Sequence, residues 1–220
     1  MRPFNRLTGI AAPLLKANID TDMIIRVEHM TASDQSRLGD HAFETWRIGP
    51  DGQEDSDFVL NQPRYRAAPI LLAGDNFGCG SSREHAVAAL LGRGIRAVIA
   101  PSFGETFYNN CFQQGLLPIR LAAHIVERIA RETEAGDSDG GAILIDLSST
   151  RVRSPAGTEY RFEIEARRRD ALLAGRDDIE QSLALLNHIE DWQNRDRRER
   201  PWLWRETPGG HPPPPSSSRG

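Results

Sequence analysis

The sequence has few cysteines and no long apolar run, and each of these shortages excludes a class of protein. Cys79 and Cys111 are its only cysteines, too few for a disulfide framework or for holding an iron–sulfur cluster, and their spacing matches no zinc motif. No apolar run approaches the length of a transmembrane helix, and the start, MRPFNRLTGI, lacks the apolar stretch of a signal peptide. We therefore expect a cytoplasmic protein without a membrane partner.

Basic charge is not in excess either. Lys and Arg total 27 against 31 Asp and Glu, which gives a formal net charge of -4 at pH 7. Because no basic face is implied, the sequence argues against a nucleic-acid partner. Lys16 is the only lysine, so nearly all the positive charge is arginine. Arginine binds carboxylates in bidentate fashion, but codon bias explains the excess just as simply.

What the sequence does contain is an α/β pattern in which short apolar strands alternate with helices. Strands are predicted at Phe4–Ile10, Ile70–Ala73, Ala97–Ala100, Leu116–Leu121, Ile143–Leu147 and Thr158–Ile164. Helices are predicted at Ser82–Leu91, Ser102–Gln113, Ala123–Glu134, Ala166–Ala174 and from Ile179 to about Arg195. Pro118 suits an edge strand, and Ser154–Gly157 is predicted to be the turn of a hairpin between the last two strands.

The length suits one globular domain with an appendage. We predict a domain over residues 1–196 and a disordered tail over 197–220, since the tail is charged and then rich in Pro and Ser and cannot bury enough apolar surface. From about Glu28 to Gln62 the chain is polar and irregular. A loop of that length inside a compact domain is typical of a functional or mobile segment.

The most informative segment is Ile70–Leu90, ILLAGDNFGCGSSREHAVAAL. A predicted buried strand leads into a glycine-rich turn, Gly74–Gly80, and then into Ser81, Ser82 and Arg83 at the start of an alanine-rich helix. Backbone N–H groups without partners and the positive end of the helix dipole lie at such a start. This arrangement binds carboxylates or phosphates and can stabilise an alkoxide. The pattern predicts an enzyme, or part of one, that acts on an anion.

Other motifs of this kind fit the segment poorly. A P-loop needs a lysine that is missing here, and the dinucleotide fingerprint lacks its third glycine. A hydrolase elbow needs glycines on both sides of the nucleophile, but Cys79 precedes Ser81 and Glu84 follows Ser82 where those glycines would stand. A simpler alternative is that one serine only caps the helix, with Glu84 completing a capping box. The preceding glycines, the adjacent Arg83 and the strand before them argue against that alternative.

Together with other segments, this motif resembles the family of 3-isopropylmalate dehydratase small subunits, in the aconitase superfamily. The matching segments follow the family's order: Asn18–Ile25, Asp57–Asn61, Asp75–His85, Val98–Phe103, Phe107–Asn110 and Leu116–Ile119. The Gly-Ser-Ser-Arg-Glu element alone marks only the superfamily. The whole set of segments indicates the small subunit.

The resemblance implies a fold, a partner and a reaction. The fold is α/β, a swivelling β/β/α domain that closes over a separate large subunit. The large subunit carries a 4Fe–4S cluster whose open iron acts as a Lewis acid. The reaction is that of a hydro-lyase in leucine biosynthesis: 2-isopropylmalate loses water to give 2-isopropylmaleate, and water returns to give 3-isopropylmalate. The chain alone is then expected to be inactive, because half of the site lies on the large subunit.

The same resemblance implies roles for four residues. Ser81 is the base that removes the proton alpha to a carboxylate, and Ser82 and Arg83 bind a carboxylate of the small dicarboxylate substrate. Asp22 borders the active site, although a self-bonded Asx turn over Asn18–Asp22 is an equally simple use of this segment. No metal ligand is expected in this chain.

Cys79 is expected to pack beside the turn, and Cys111 is expected to lie on the buried side of a helix.

Two other functions stay open at this point. A related hydro-lyase acting on methylmalate, dimethylmaleate or homoaconitate would differ in its loops and not in Ser81–Arg83, since one methylene in a pocket is worth only about 1–3 kcal/mol. A non-catalytic anion-binding module is the second alternative, and the intact Ser-Ser-Arg argues against it.

Overall fold

One mixed sheet organises the chain in this computed structural model. Its strands are β1 (Arg6–Leu14), β2 (Ile70–Ala73), β3 (Ala97–Ala100), β4 (Leu117–Arg120), β5 (Ala142–Asp146), β6 (Arg151–Arg153) and β7 (Glu159–Arg161). Their order across the sheet is β4-β3-β2-β1-β5-β6-β7. Because β1 pairs in parallel with β2 and antiparallel with β5, it joins a parallel half, β1–β4, to an antiparallel half, β5–β7.

The helices surround this sheet or follow it in the chain. They are α1 (Thr21–Ile24), α2 (Val27–Met30), α3 (Glu44–Arg47), α4 (Glu84–Gly92), α5 (Glu105–Gln114), α6 (Ala123–Ala135), α7 (Ala166–Ala174) and α8 (Leu186–Glu199). Short 3₁₀ turns cover Gln35–His41, Val59–Asn61 and Pro201–Trp204. The structure describes residues 1–30, 35–80, 84–136, 141–176, 180, 183 and 186–204. Within the described part, no helix is both long and apolar enough to cross a membrane.

The parallel half is buried on both faces. Leu71 and Val98 pack into one apolar core together with α4 and α5. Leu72 and Ile99 point to the opposite face and pack into a second core with α6 and the antiparallel strands. Every residue of β2 and β3 is therefore buried, which explains why both strands read as continuous apolar runs in the sequence.

The predicted elements of the parallel half are largely confirmed. The strands at Ile70–Ala73 and Ala97–Ala100 have the predicted bounds. Pro118 lies in β4, which is an edge strand, where its missing N–H leaves no ladder bond unmade. β1 continues to Leu14, beyond the predicted end at Ile10, because it pairs with β5 first and with β2 further along.

The hairpin prediction was wrong in one respect. The turn at Ser154–Gly157 joins β6 to β7, and β5 pairs with β6 instead of flanking that turn. The pattern missed β6 because this strand, Arg-Val-Arg, has only one buried residue, Val152. The polar stretch after Glu28 also differs from the expectation, since it contains short helices and 3₁₀ turns.

Contacts divide the chain into two units, Met1–Asp178 and Ile179–Gly220. In the second unit, Asp196 binds the turn that follows α8: it accepts from Arg200 Nε at 2.7 Å and from Trp204 Nε1 at 2.9 Å. Helix α8 runs to Glu199, past the predicted end near Arg195. The boundary after residue 196 and the disorder of 197–220 stay predictions, and residues 205–220 lie outside the described part.

Candidate active site

The loops that follow β1, β2 and β3 meet at one edge of the sheet. These strands are parallel, so their carboxyl ends lie side by side. In open parallel sheets this edge is where ligands bind. The loop after β2 is the glycine-rich turn, Gly74–Gly80, and each of its neighbours makes hydrogen bonds to it.

The loop after β1 is bound to the turn through its backbone. Gly78 N–H donates to the Ile19 carbonyl at 2.7 Å, and Thr21 N–H donates to the Cys79 carbonyl at 3.0 Å. A parallel β-bridge sets Asp20 beside Cys79. The start of α1 is thereby fixed against the last residues of the turn.

Two asparagines make a side-chain bond across the same contact. Asn76 Nδ2 donates to Asn18 Oδ1 at 2.8 Å, and Asn18 N–H donates to the Asp75 carbonyl at 2.8 Å. Both asparagines have a φ of 55°, in the left-handed region that asparagine tolerates better than most residues. We interpret them as positioning residues for the turn.

Ser102, in the loop after β3, holds the other side of the turn. Its Oγ accepts from Asn76 N–H at 2.8 Å and donates to Asp75 Oδ1 at 2.5 Å. Its carbonyl accepts from Phe77 N–H at 3.1 Å. The sequence predicted Ser102 as the start of a helix, but that helix begins at Glu105 because Ser102 bonds to the turn instead.

Aromatic packing against α5 supports the turn on its buried side. Phe77 is fully buried, and its ring meets that of Phe107 edge to face, with centroids 5.4 Å apart. Gly78 has a φ of +71°, and a Cβ placed on it would lie 2.2 Å from Phe107 Cγ. Only glycine fits at this position, since any side chain would meet both the strained backbone and the ring.

Helix α4 begins at Glu84, and Ser81, Ser82 and Arg83 lie outside the described residues. The structure therefore describes the turn up to Gly80 and the helix from Glu84, on either side of the predicted catalytic group. The buried face of α4 consists of Ala86, Val87, Ala89 and Leu90. At nine residues, α4 is long enough for a helix dipole whose positive end faces the segment before it.

This geometry is a fixed turn that leads into the amino end of a buried helix. Comparison with known proteins identifies the family of the chain. Residues 1–124 match the family of the aconitase C-terminal domain. The chain is 48% identical over 205 residues to the 3-isopropylmalate dehydratase small subunit of Gluconacetobacter diazotrophicus, covering 93% of this chain and 98% of that one. It is 47% identical over 202 residues to the small subunit of Rhodospirillum centenum, covering 92% and 98%.

The chain belongs to the family of 3-isopropylmalate dehydratase small subunits. Its fold also matches the crystal structure of 3-isopropylmalate dehydratase from Methanocaldococcus jannaschii, with a TM-score of 0.62 and 28% identity, covering 84% of this chain and 99% of that one. The expected swivel fold of the aconitase superfamily is thereby confirmed.

Asp22 is exposed in α1 of this small subunit, two residues after the bridge between Asp20 and Cys79. The capping bond at the start of α1 is made by Asp20, whose Oδ1 accepts from Met23 N–H at 2.8 Å. The Asx-type bond expected as an alternative use of this segment therefore involves Asp20. The role of Asp22 beside the substrate stays a prediction.

The two cysteines of the small subunit lie in different surroundings. Cys111 is fully buried in α5, as expected, and this burial raises the pKa of its thiol well above the ordinary value. Cys79 is half-buried and lies within the turn itself, next to Gly80. A single accessible thiol cannot ligate an iron–sulfur cluster, so these residues do not fit that group.

Proposed function

We propose that this chain is the small subunit of a 3-isopropylmalate dehydratase, which isomerises 2-isopropylmalate to 3-isopropylmalate through 2-isopropylmaleate in leucine biosynthesis. The observation that carries this proposal is 48% identity over 93% of the chain to a small subunit of that name. The fixed turn up to Gly80 and the helix α4 from Glu84 support it, because they stand on either side of the Ser-Ser-Arg motif in the chain.

The proposal includes a large-subunit partner and a cytoplasmic location. The 4Fe–4S cluster belongs to that partner, since the two cysteines here do not fit it. When bound in the large subunit, the cluster supplies a Lewis acid for the hydroxyl that leaves and returns. The small subunit supplies the base and the groups that hold the substrate's carboxylate.

Ser81 is proposed as the base that takes the proton alpha to a carboxylate. A free serine hydroxyl is far too weak an acid to ionise at neutral pH, so its surroundings must favour the alkoxide. Two features of the chain supply positive potential: the amino end of α4, which begins at Glu84, and the guanidinium of Arg83. One well-placed donor to a developing oxyanion is typically worth about 3 kcal/mol.

Ser82 and Arg83 are proposed to bind a substrate carboxylate. The guanidinium fork matches both carboxylate oxygens, and a hydroxyl adds a further donor. Asp22 is proposed to border the same site. Its support is positional: Asp20 and Cys79 are bridged, and Asp22 and Ser81 each follow a member of that pair by two residues.

Closure of the two subunits over the substrate would exclude water and bring the base to the reacting carbon. The small subunit alone is therefore expected to have no dehydratase activity. The polar stretch from Glu28 to Asn61 is where related hydro-lyases for methylmalate, dimethylmaleate or homoaconitate would differ, because the substrates differ in small apolar groups.

The test is anaerobic turnover of the full chain mixed with the large subunit encoded in the same genome. Alkene absorbance is followed with 2-isopropylmalate, methylmalate, homocitrate and citrate in parallel, and each subunit alone is the control. We expect activity chiefly on 2-isopropylmalate and only with both subunits present. Preference for another acid would overturn the leucine-pathway assignment, and no activity with an intact cluster would favour the anion-binding module.

A further inference from the structure

A cluster of metal-ligating side chains lies outside the proposed active site. His29, His41 and Glu44 each offer one ligand atom, and these three atoms all lie within 4.8 Å of one another. We propose that these residues form a binding site for one divalent transition-metal ion of the zinc class. No metal ligand is expected in this chain from its family resemblance, so this site goes beyond the proposed function.

Local structure brings the three side chains together from two helices and a turn. His29 lies in α2, His41 ends the 3₁₀ turn, and Glu44 is the first residue of α3. Phe43, between the last two, has a φ of 54° and donates its N–H to the Ile24 carbonyl at 2.9 Å. This bond fixes the sharp entry into α3, which sets the Glu44 carboxylate beside His41.

Both imidazoles direct a nitrogen at the same carboxylate. His29 Nε2 is hydrogen-bonded to Glu44 Oε2, and His41 Nδ1 lies 3.4 Å from Glu44 Oε1. The two rings are stacked, with centroids 3.7 Å apart and planes 11° from parallel. Two imidazole nitrogens and a carboxylate are therefore in reach of one another, and they are the donor set of open zinc sites. For both nitrogens to direct their in-plane lone pairs at one ion, one ring must rotate out of the stack.

The separations suit a small ion. Imidazole and carboxylate ligands lie at about 2.0–2.2 Å from zinc, so in a tetrahedral site they are about 3.4 Å from each other. The distance from His41 Nδ1 to Glu44 Oε1 already has that value, at 3.4 Å. The ion would replace the hydrogen bond that His29 and Glu44 now share, once one imidazole has rotated out of the stack.

Charge and exposure also favour a cation. Glu44 supplies the negative charge of the cluster, since Glu28, whose Oε1 lies 3.9 Å from His29 Nε2, is paired with Arg26 at 2.9 Å. The side chains of His29, His41 and Glu44 are 18%, 32% and 27% exposed. They are thus held by packing on one side and open to water on the other, which leaves room for a water ligand and a path for the ion.

A bound ion would tie α2 to α3. This connection lies in the polar stretch where substrate discrimination is proposed, so metal would stiffen that stretch without touching the proposed base. Metal binding by the isolated chain needs neither the large subunit nor turnover. Its failure would leave the proposed function intact, and loss of the dehydratase assignment would leave the metal site intact.

The experiment titrates the full chain, stripped with a chelator, with Co²⁺ and then with Zn²⁺. We expect one Co²⁺ per chain, with visible absorption bands typical of nitrogen and oxygen ligands, displacement by Zn²⁺, and a rise in Tm with Zn²⁺. Trp46, in α3, gives a fluorescence signal close to the site.

Variants then locate the ion. His29→Ala and His41→Ala should each weaken Co²⁺ binding by at least about 100-fold, and Glu44→Gln, which keeps the shape but loses the anionic ligand, by at least about 10-fold. His124→Ala, on an exposed position of α6, is the matched control and should bind as the unchanged chain does.

Circular dichroism without metal shows whether each variant is folded, and Glu44→Gln keeps the test valid if a histidine variant is not. No saturable binding, or binding unchanged in Glu44→Gln, would overturn the proposal. So would loss of binding in Cys79→Ser, because the ion would then lie at the half-buried thiol.

Discussion

The two halves of the sheet share β1 but differ in where their connecting loops lie. In the parallel half, the loops after β1, β2 and β3 gather at one edge and bind one another through Asn18, Asn76 and Ser102. In the antiparallel half, a tight turn at Ser154–Gly157 joins β6 to β7, and ion pairs such as that of Arg151 and Glu159 lie at the surface. The proposed site therefore lies at an edge of the parallel half, whereas the antiparallel half is a meander of strands β5, β6 and β7.

The difference shows what parallel strands provide. Parallel neighbours send several loops to the same edge, so residues far apart in sequence, such as Asn18 and Ser102, can fix one turn. Antiparallel neighbours can be joined by tight turns of a few residues, and such short connections leave little room for a site. Variants matched between the halves can test this distinction.

The largest effect is expected from paired phenylalanine truncations. Phe77→Ala and Phe162→Ala each remove a buried ring, and each should lower the free energy of unfolding by about 3–5 kcal/mol. Only Phe77 lies in the glycine-rich turn, so only its truncation should also reduce turnover per folded molecule, by at least about 10-fold. Chemical denaturation and anaerobic assays with the large subunit measure the two effects. Equal loss of turnover in both variants would break the comparison.

A second pair concerns two glycines with positive φ. Gly78, with φ +71°, is crowded by Phe107, whereas Gly157, with φ +83°, has open space around it. Gly157→Ala should cost only the left-handed backbone penalty, about 1–2 kcal/mol. Gly78→Ala adds overpacking, for a total of about 2–5 kcal/mol, and displaces the turn.

Thermal unfolding ranks the two glycine variants, and turnover shows whether the displaced turn matters. We expect Gly157→Ala to keep normal turnover. A Gly78→Ala variant with normal turnover and no greater loss of stability than Gly157→Ala would show that the turn is not held rigidly.

The smallest effect is expected at Asp146, in the antiparallel half. A hydrogen bond from Ser149 N–H and the Arg6 guanidinium, 2.7 Å from Oδ2, outweigh partial burial and hold the pKa of this carboxyl below its usual range. Its stabilisation is therefore full above the pKa of an unfolded aspartate, about 3.9, and is lost as pH falls through the lower native value. Asp146→Asn should cost less than about 1 kcal/mol at neutral pH, because Arg6 is largely exposed.

Tm measured from pH 7 downward for the unchanged chain and for Asp146→Asn checks this expectation. The difference between them should shrink as pH falls below about 4. Arg6→Met, which keeps the Ser149 bond, should show part of the effect, and turnover should be normal in both variants. A difference that grows toward low pH would contradict the assigned cause.

The sequence was sufficient for the elements with a strong local pattern. β2 and β3 were predicted because strands buried on both faces are unbroken apolar runs. The predicted bounds of α7, Ala166 and Ala174, agree with the structure. β6 was missed because Val152 alone carries its pattern, and α1, α2 and α3 were missed because four residues are too few for a helical period.

The site was predictable only in part. The Gly-Ser-Ser-Arg-Glu motif indicated the superfamily, and the other matching segments indicated the family. The roles of Ser81, Ser82 and Arg83 stay predictions. Asn18 and Ser102, which hold the turn, could not be assigned, since each acts through a partner distant in sequence. The cluster of His29, His41 and Glu44 also depends on folding, and only the spacing of His41 and Glu44 suggests a shared face.

We propose that the turn presents Ser81 as a base. The most direct measurement is anaerobic turnover of 2-isopropylmalate by Ser81→Ala mixed with the large subunit, with Ser148→Ala, at an exposed position of the antiparallel half, as control. We predict that kcat falls at least about 1000-fold in Ser81→Ala, within the range of general base catalysis, while folding and subunit assembly are unchanged. Near-normal turnover in Ser81→Ala would contradict the account.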